Sequence, residues 1–129
     1  MNFLALPELL ALHDEVIGST GGEPGVLYPA GLESSLARPF TALGGEERFP
    51  SLFDKAAVLV HSLIQFHPFL DGNKRVALVA ADVVLKLNGQ HLTPSDEVQA
   101  FFWRIARGEV EIPEISRWIQ AHSGPYSVP

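Results

Sequence analysis

The chain contains no cysteine. That absence removes disulfides, thiolate nucleophiles and cysteine-ligated zinc together, and it fits a reducing compartment, so a cytoplasmic location is expected. Positive charge is also scarce: Lys plus Arg number 9 against 15 Asp plus Glu, a formal net charge of −6. Affinity for nucleic acid comes largely from cations that neutralise phosphates, so neither a general nor a direct sequence-specific nucleic-acid binder is expected. Long apolar runs are missing too. The most apolar stretch, Val76 to Leu85, carries Asp82 and is only about half a membrane span, which argues against a membrane role. The start, Met1-Asn2-Phe3-Leu4-Ala5-Leu6, lacks a basic segment and soon meets Glu8, His13, Asp14 and Glu15, so no targeting segment is expected. What remains is a chain of 129 residues, 47% hydrophobic and 19% charged, enough to bury one core. A single domain is expected over residues 1–122, with a fraying tail over 123–129.

Hydrophobic spacing predicts the elements. Pro7 suits a first helical turn, and Leu6, Leu9, Leu10, His13, Val16 and Ile17 recur at helical intervals until Gly18, read as the stop. Residues 18–50 hold most of the chain's glycines and read as turns around one helical piece, Leu32 to Ala37, with a small hairpin flap at Thr41 to Phe49 around Gly44-Gly45. From Ser51, the residues Leu52, Ala56, Leu59, Val60, Leu63 and Ile64 describe a strong helix to about Phe66. After Asp71-Gly72, Val76, Ala77, Val79, Ala80, Val83, Val84 and Leu87 are apolar over so wide an arc that this helix must be buried on most sides, and Asn88-Gly89 stops it. Thr93-Pro94-Ser95-Asp96 reads as the start of a helix through Val98, Phe101, Phe102 and Ile105, closed by Gly108. Pro113 opens a last helix through Ile115, Trp118 and Ile119. The expected fold class is all-α, a compact bundle of about six helices with a central buried helix after Gly72.

Between the two most apolar helices lies His67-Pro68-Phe69-Leu70-Asp71-Gly72-Asn73-Lys74-Arg75. A base, a carboxylate, a glycine, an amide and two cations in nine residues is a density that a simple helix joint does not need. The first turn of a helix has backbone N–H groups without intrahelical partners, so Gly72, Asn73, Lys74 and Arg75 can form a cradle for phosphate. Arginine grips phosphate oxygens with a two-pronged donor and lysine acts as a point charge, so Lys74 and Arg75 could neutralise charge that develops in phosphoryl transfer. Asp71 offers a hard oxygen ligand for magnesium bridging the phosphates. His67 ends the preceding helix, where it could take a proton from an incoming hydroxyl.

The motif resembles the core of the Fic family, His-Pro-Phe-x-Asp-Gly-Asn, and its Lys74-Arg75 ending is similar to the death-on-curing branch, where many other members have Gly-Arg. Leu12-His13-Asp14-Glu15, Gly31 to Pro39, Leu87-Asn88-Gly89 and Glu109 to Ile119 also resemble death-on-curing sequences. The resemblance implies a Fic/Doc-type helical fold and a toxin of a type II toxin–antitoxin system. In it His67 would be the general base, Asp71 the magnesium ligand, and Gly72, Asn73, Lys74 and Arg75 the nucleotide-binding residues, with Phe69 as a buried anchor. Lysine in place of glycine at position 74 implies delivery of the γ-phosphate of ATP to a threonine or serine hydroxyl instead of AMP. The implied target is translation elongation factor Tu, and the implied regulator is an antitoxin acting in trans. The chain departs from the branch at Leu27 and Tyr28, where an arginine and an aspartate are frequent. AMP transfer on the same scaffold, and an inactive domain kept for partner binding, stand as alternatives.

Other features read as structural. His13-Asp14 invites a metal-phosphohydrolase reading, but no further ligands precede it, leaving a solvated helix face. His61 lies six residues before His67, nearer opposite helix faces than a shared one at about 3.6 residues per turn. The run Gly72-Asn73-Lys74-Arg75 lacks the upstream glycine and following hydroxyl of a P-loop. Trp103 and Trp118 read as core or partner-facing side chains.

Overall fold

The computed structural model describes residues 1–127 and shows six α-helices with two small antiparallel sheets. Helix α1 (Leu6–Thr20) is followed by α2 (Pro29–Ala37), a 3-10 turn (Arg38–Phe40), and a hairpin of β1 (Ala42–Leu43) and β2 (Glu46–Glu47). Then come α3 (Leu52–Phe66), α4 (Asn73–Lys86), β3 (Gln90–Leu92), α5 (Val98–Ala106), α6 (Ile112–Ala121) and β4 (Ser123–Pro125).

The core is the α3–α4 pair. Ser51 caps α3 by accepting the Asp54 amide at 3.0 Å, and residues 55–60 and 62–64 are buried, so this helix is wrapped on nearly every side. Helix α4 buries Val76, Ala77, Ala80, Ala81, Val84 and Leu85. Alanines on α4 and Ala56 and Ala57 on α3 are fully buried, and their small size permits close approach of the two backbones. Around this pair, α6 is tied to α3 by Ser116 Oγ donating to Asp54 Oδ1 at 2.7 Å, and α5 by Gln65 Nε2 donating to the Ile105 carbonyl at 2.7 Å. Helix α1 covers α4 with Leu9, His13 and Val16.

Four expectations change. Helix α1 runs through Gly18 to Thr20; a glycine inside a helix costs only about 1 kcal/mol, and the true stop is Gly21, at φ 85°. Thr93 does not cap α5, which begins at Val98. Instead its amide and hydroxyl both donate to the His122 carbonyl, at 2.7 and 2.9 Å. That contact extends a sheet the sequence did not suggest: β3 pairs with β4 in the register Gln90–Pro125, His91–Gly124 and Leu92–Ser123. The start of the expected tail is therefore a strand; residues 128 and 129 lie outside the described residues. The hairpin forms where expected, with Ala42 opposite Glu47 and Leu43 opposite Glu46. Among the described residues no helix is long and apolar enough to cross a membrane.

Candidate active site

The nine-residue motif spans the joint from α3 to α4, and its geometry begins with a strained residue. His67 caps α3 at φ 51°, ψ 55°, the one non-glycine with positive φ among the described residues. A side chain in this left-handed region costs on the order of 1 kcal/mol or more, and a following proline restricts the backbone further. The turn sends the chain back along the helix end and leaves the imidazole exposed at the mouth of a cavity of about 270 Å³. His67, Asp71, Gly72, Asn73, Lys74 and Arg75 all line this cavity, with Ile64 and Ala106. The residues named from sequence are thus brought together.

Two buried groups hold the joint. Phe69 is 1% exposed, as an anchor should be. The Asn73 side chain is also buried, and its Oδ1 accepts the Phe69 amide at 3.0 Å while its Nδ2 donates to the Phe69 carbonyl at 2.9 Å. Asn73 therefore faces the cradle through its backbone amide and uses its side chain to fix the loop. His13 is the second. The ring expected on a solvated face is 2% exposed and lies flat on Phe69, with centroids 3.7 Å apart and planes 6° from parallel. Its Nε2 sits 2.7 Å from the Asp71 carbonyl, so that nitrogen is the donor. The signal was present: His13 continues the apolar stripe of α1, where a buried histidine needs a partner.

Gly72 precedes α4 at φ 79°, a conformation that only glycine adopts cheaply. The amides of Asn73, Lys74 and Arg75 then open the helix without carbonyls behind them. Asp71 carries a carboxylate held below the usual range, first by the Glu23 amide (3.2 Å to Oδ2), then by the Gly72 amide (2.8 Å to Oδ1), with Arg75 adding to them. Arg75 Nη2 is 3.6 Å from Asp71 Oδ1, and its Nη1 donates to the Thr20 hydroxyl and, at 2.7 Å, to the Gly21 carbonyl. The end of α1 and the glycine loop thus lie over the acid and the arginine, contacts that the sequence did not disclose. A depressed acid stabilises the folded state above its unfolded value, about 3.9. The Glu23–Asp71 contact is expected to persist from neutral pH down past that value and to loosen as pH falls through the lower folded one, read as loss of protection at the Glu23 amide. Loosening on raising the pH from 5 to 7 would contradict it.

The same loop runs on against the motif, with a single antiparallel bridge between Val26 and Phe69. The Leu27 and Tyr28 amides both donate to the Pro68 carbonyl, at 2.8 and 2.9 Å, and the Leu70 amide to the Gly25 carbonyl at 3.0 Å. Val26, Leu27, Tyr28 and Leu70 remain substantially exposed. Lys74 places Nζ 4.1 Å from the centroid of the Trp103 ring. Trp103 is 53% exposed and with Leu78, Val98 and Phe102 walls a cleft of about 140 Å³ that shares Lys74 and Arg75 with the main cavity. Trp118 instead stacks on Phe101, centroids 4.7 Å apart, against the core.

Fold and site define a class: a six-helix domain in which one polar loop, anchored by an inward phenylalanine, joins the two helices of the core, as in Fic domains. The chain belongs to the Fic/DOC family, whose family model matches residues 3–85. It is 32% identical over 116 residues to the "Protein kinase doc" of Escherichia phage P1, covering 90% of this chain and 91% of that protein. It is 41% identical over 78 residues to the "Toxin Doc" of Mycolicibacterium smegmatis, covering 60% of each. Within the family it stands with the Doc proteins.

Proposed function

We propose that the protein is a Doc-type toxin that transfers the γ-phosphate of ATP to a serine or threonine hydroxyl of a protein, with elongation factor Tu as the target and arrest of translation as the outcome. The observation that carries this reading is the convergence of His67, Asp71, the opening amides of α4, Lys74 and Arg75 on one cavity. His67 takes the proton of the incoming hydroxyl, whose oxygen bonds to the γ-phosphorus as the bond to the bridging oxygen breaks and ADP departs. The α4 amides, Lys74 and Arg75 collect the charge that moves onto the phosphate oxygens.

Asp71 is exposed enough, and anionic enough, to suit a hard cation shared with phosphates and water. Asp71 would hold magnesium, which when bound would supply charge neutralisation to the phosphates. The direction of transfer rests on Lys74, whose side chain fills space that a glycine would leave open, and is supported by the name of the phage relative. A trans-acting antitoxin is part of the proposal, carried by the same kinship.

Nucleotide analogues test the reading when purified elongation factor Tu is first treated with the chain and a single analogue, or none, and is then supplied to an ATP-fed translation extract that lacks it. With an ATP analogue whose α,β-bridge is methylene, γ-transfer remains chemically open, so synthesis should stop. With the β,γ-methylene analogue it should continue. The reverse pattern would mean AMP transfer, and arrest without nucleotide would mean a binding domain.

A second expectation concerns Gly22. A Cβ there would lie 2.6 Å from Asp71 Oδ2, and the residue sits at φ 123°. Gly22→Ala should displace the carboxylate and lower turnover by about a hundredfold, the scale of an ångström misplacement at a reacting centre, with a raised magnesium requirement. Wild-type turnover would show that the loop is irrelevant to Asp71.

A further inference from the structure

Lys55 lies in the apolar stripe of α3 and is 2% exposed. Lysine is almost never fully buried unless paired. Its three N–H donors meet three acceptors: the Pro39 carbonyl at 3.3 Å, the Phe49 carbonyl, and Glu47 Oε1 at 3.0 Å. The Phe40 ring covers another side, its centroid 5.3 Å from Nζ. Pro39 and Phe49 are the two feet of the hairpin, so one side chain ties both feet to the central helix.

The hairpin has little else to fix it. Its strands are two residues each, its residues are exposed, and Leu43 at the tip is 85% exposed. An isolated two-stranded hairpin is marginal in water. Its root nevertheless leans on the end of α3 that leads into His67: Arg38 donates to Ser62 Oγ at 2.7 Å and lies 5.4 Å from the centroid of Phe66.

We infer that Lys55 is a positioning residue for the protein substrate: it holds the hairpin in a fixed relation to His67 without touching nucleotide or reacting atoms. The inference rests on the transfer reading proposed above. Two of its partners are backbone carbonyls beneath the hairpin, and they carry the clasp. Glu47 is half-exposed and adds little, as ion pairs open to water do.

Lys55→Met keeps the volume and removes the donors. Cleavage by a glutamyl endopeptidase at Glu46-Glu47 should then quicken by roughly tenfold, the scale of losing hydrogen bonds to a charged group, while amide exchange in α3 and α4 stays unchanged. KM for the protein substrate should rise about tenfold, with kcat and nucleotide affinity within about twofold of wild type. Glu47→Gln, which keeps an acceptor but removes one of the two cleavage sites, should leave amide exchange and KM as in wild type. Unchanged cleavage in a folded Lys55→Met protein would overturn the clasp, and faster cleavage with an unchanged KM would overturn its link to substrate. Failure of the kinase reading would remove only the KM arm, leaving cleavage and exchange to decide the clasp. Should Lys55→Met not fold, exchange in the wild type decides: the Thr41 and Arg48 amides, bonded at the feet, should exchange at least about tenfold slower than an open loop. Exchange at open-loop rates would overturn the inference.

Discussion

Replacing His67 with alanine is expected to cut phosphate transfer by a factor of about 100 to 10,000, the contribution of a positioned general base, and to abolish growth arrest while the fold survives. Fold survival follows from the position. His67 is exposed at the end of α3, and no core contact depends on its ring. The strained backbone supplies a control that activity alone cannot. Glycine removes the Cβ that makes φ 51° unfavourable, so His67→Gly should be as inactive as His67→Ala yet more stable by about 1 kcal/mol. Denaturant unfolding of the two variants checks this. A folded His67→Ala protein with undiminished transfer would remove the imidazole from the mechanism, and equal stability of the two variants would remove the strain.

The second large effect is expected at Asn73. Among the described residues its amide is the one hydrogen-bond partner of both the N–H and the C=O of Phe69, and all three groups lie inside. Alanine would leave two buried backbone groups unpaired, each worth about 1–3 kcal/mol. Asn73→Ala should therefore destabilise the protein by about 2–6 kcal/mol and lower transfer beyond what the residual folded fraction explains, because the cradle amides move with the loop. Asn73→Asp keeps the acceptor for the Phe69 amide but turns an anion toward the Phe69 carbonyl, so it should rescue little. A loss in unfolding free energy below about 0.5 kcal/mol, the range of ordinary surface changes, would show that the clamp is not needed.

The helices were legible because their apolar faces repeat over many residues. Helices α3 and α4 emerge from periodicity alone, and the six motif residues that line the cavity, from His67 to Arg75, lie within nine positions of one another. What stayed hidden depends on contacts across long stretches of chain. Strand β3 is three residues long and its partner is Ser-Gly-Pro, too short to show alternation. The bond from His13 to Asp71 spans 58 positions and that from Glu23 to Asp71 spans 48, which no local pattern encodes. Two anomalies did mark such places. His13 and Lys55 both interrupt apolar stripes, and each is a polar group drawn inside by partners from elsewhere in the chain.

The sequence also shows why the direction of transfer hangs on one side chain. His67, Asp71 and Arg75 would serve either phosphate or AMP transfer, whereas Lys74 occupies the position that separates the two. The measurement that bears on this most directly is the intact mass of the target protein after reaction with ATP, magnesium and the wild-type chain. Transfer of the γ-phosphate predicts a gain of one phosphate per modified molecule, absent with His67→Ala. A gain of one AMP would contradict it.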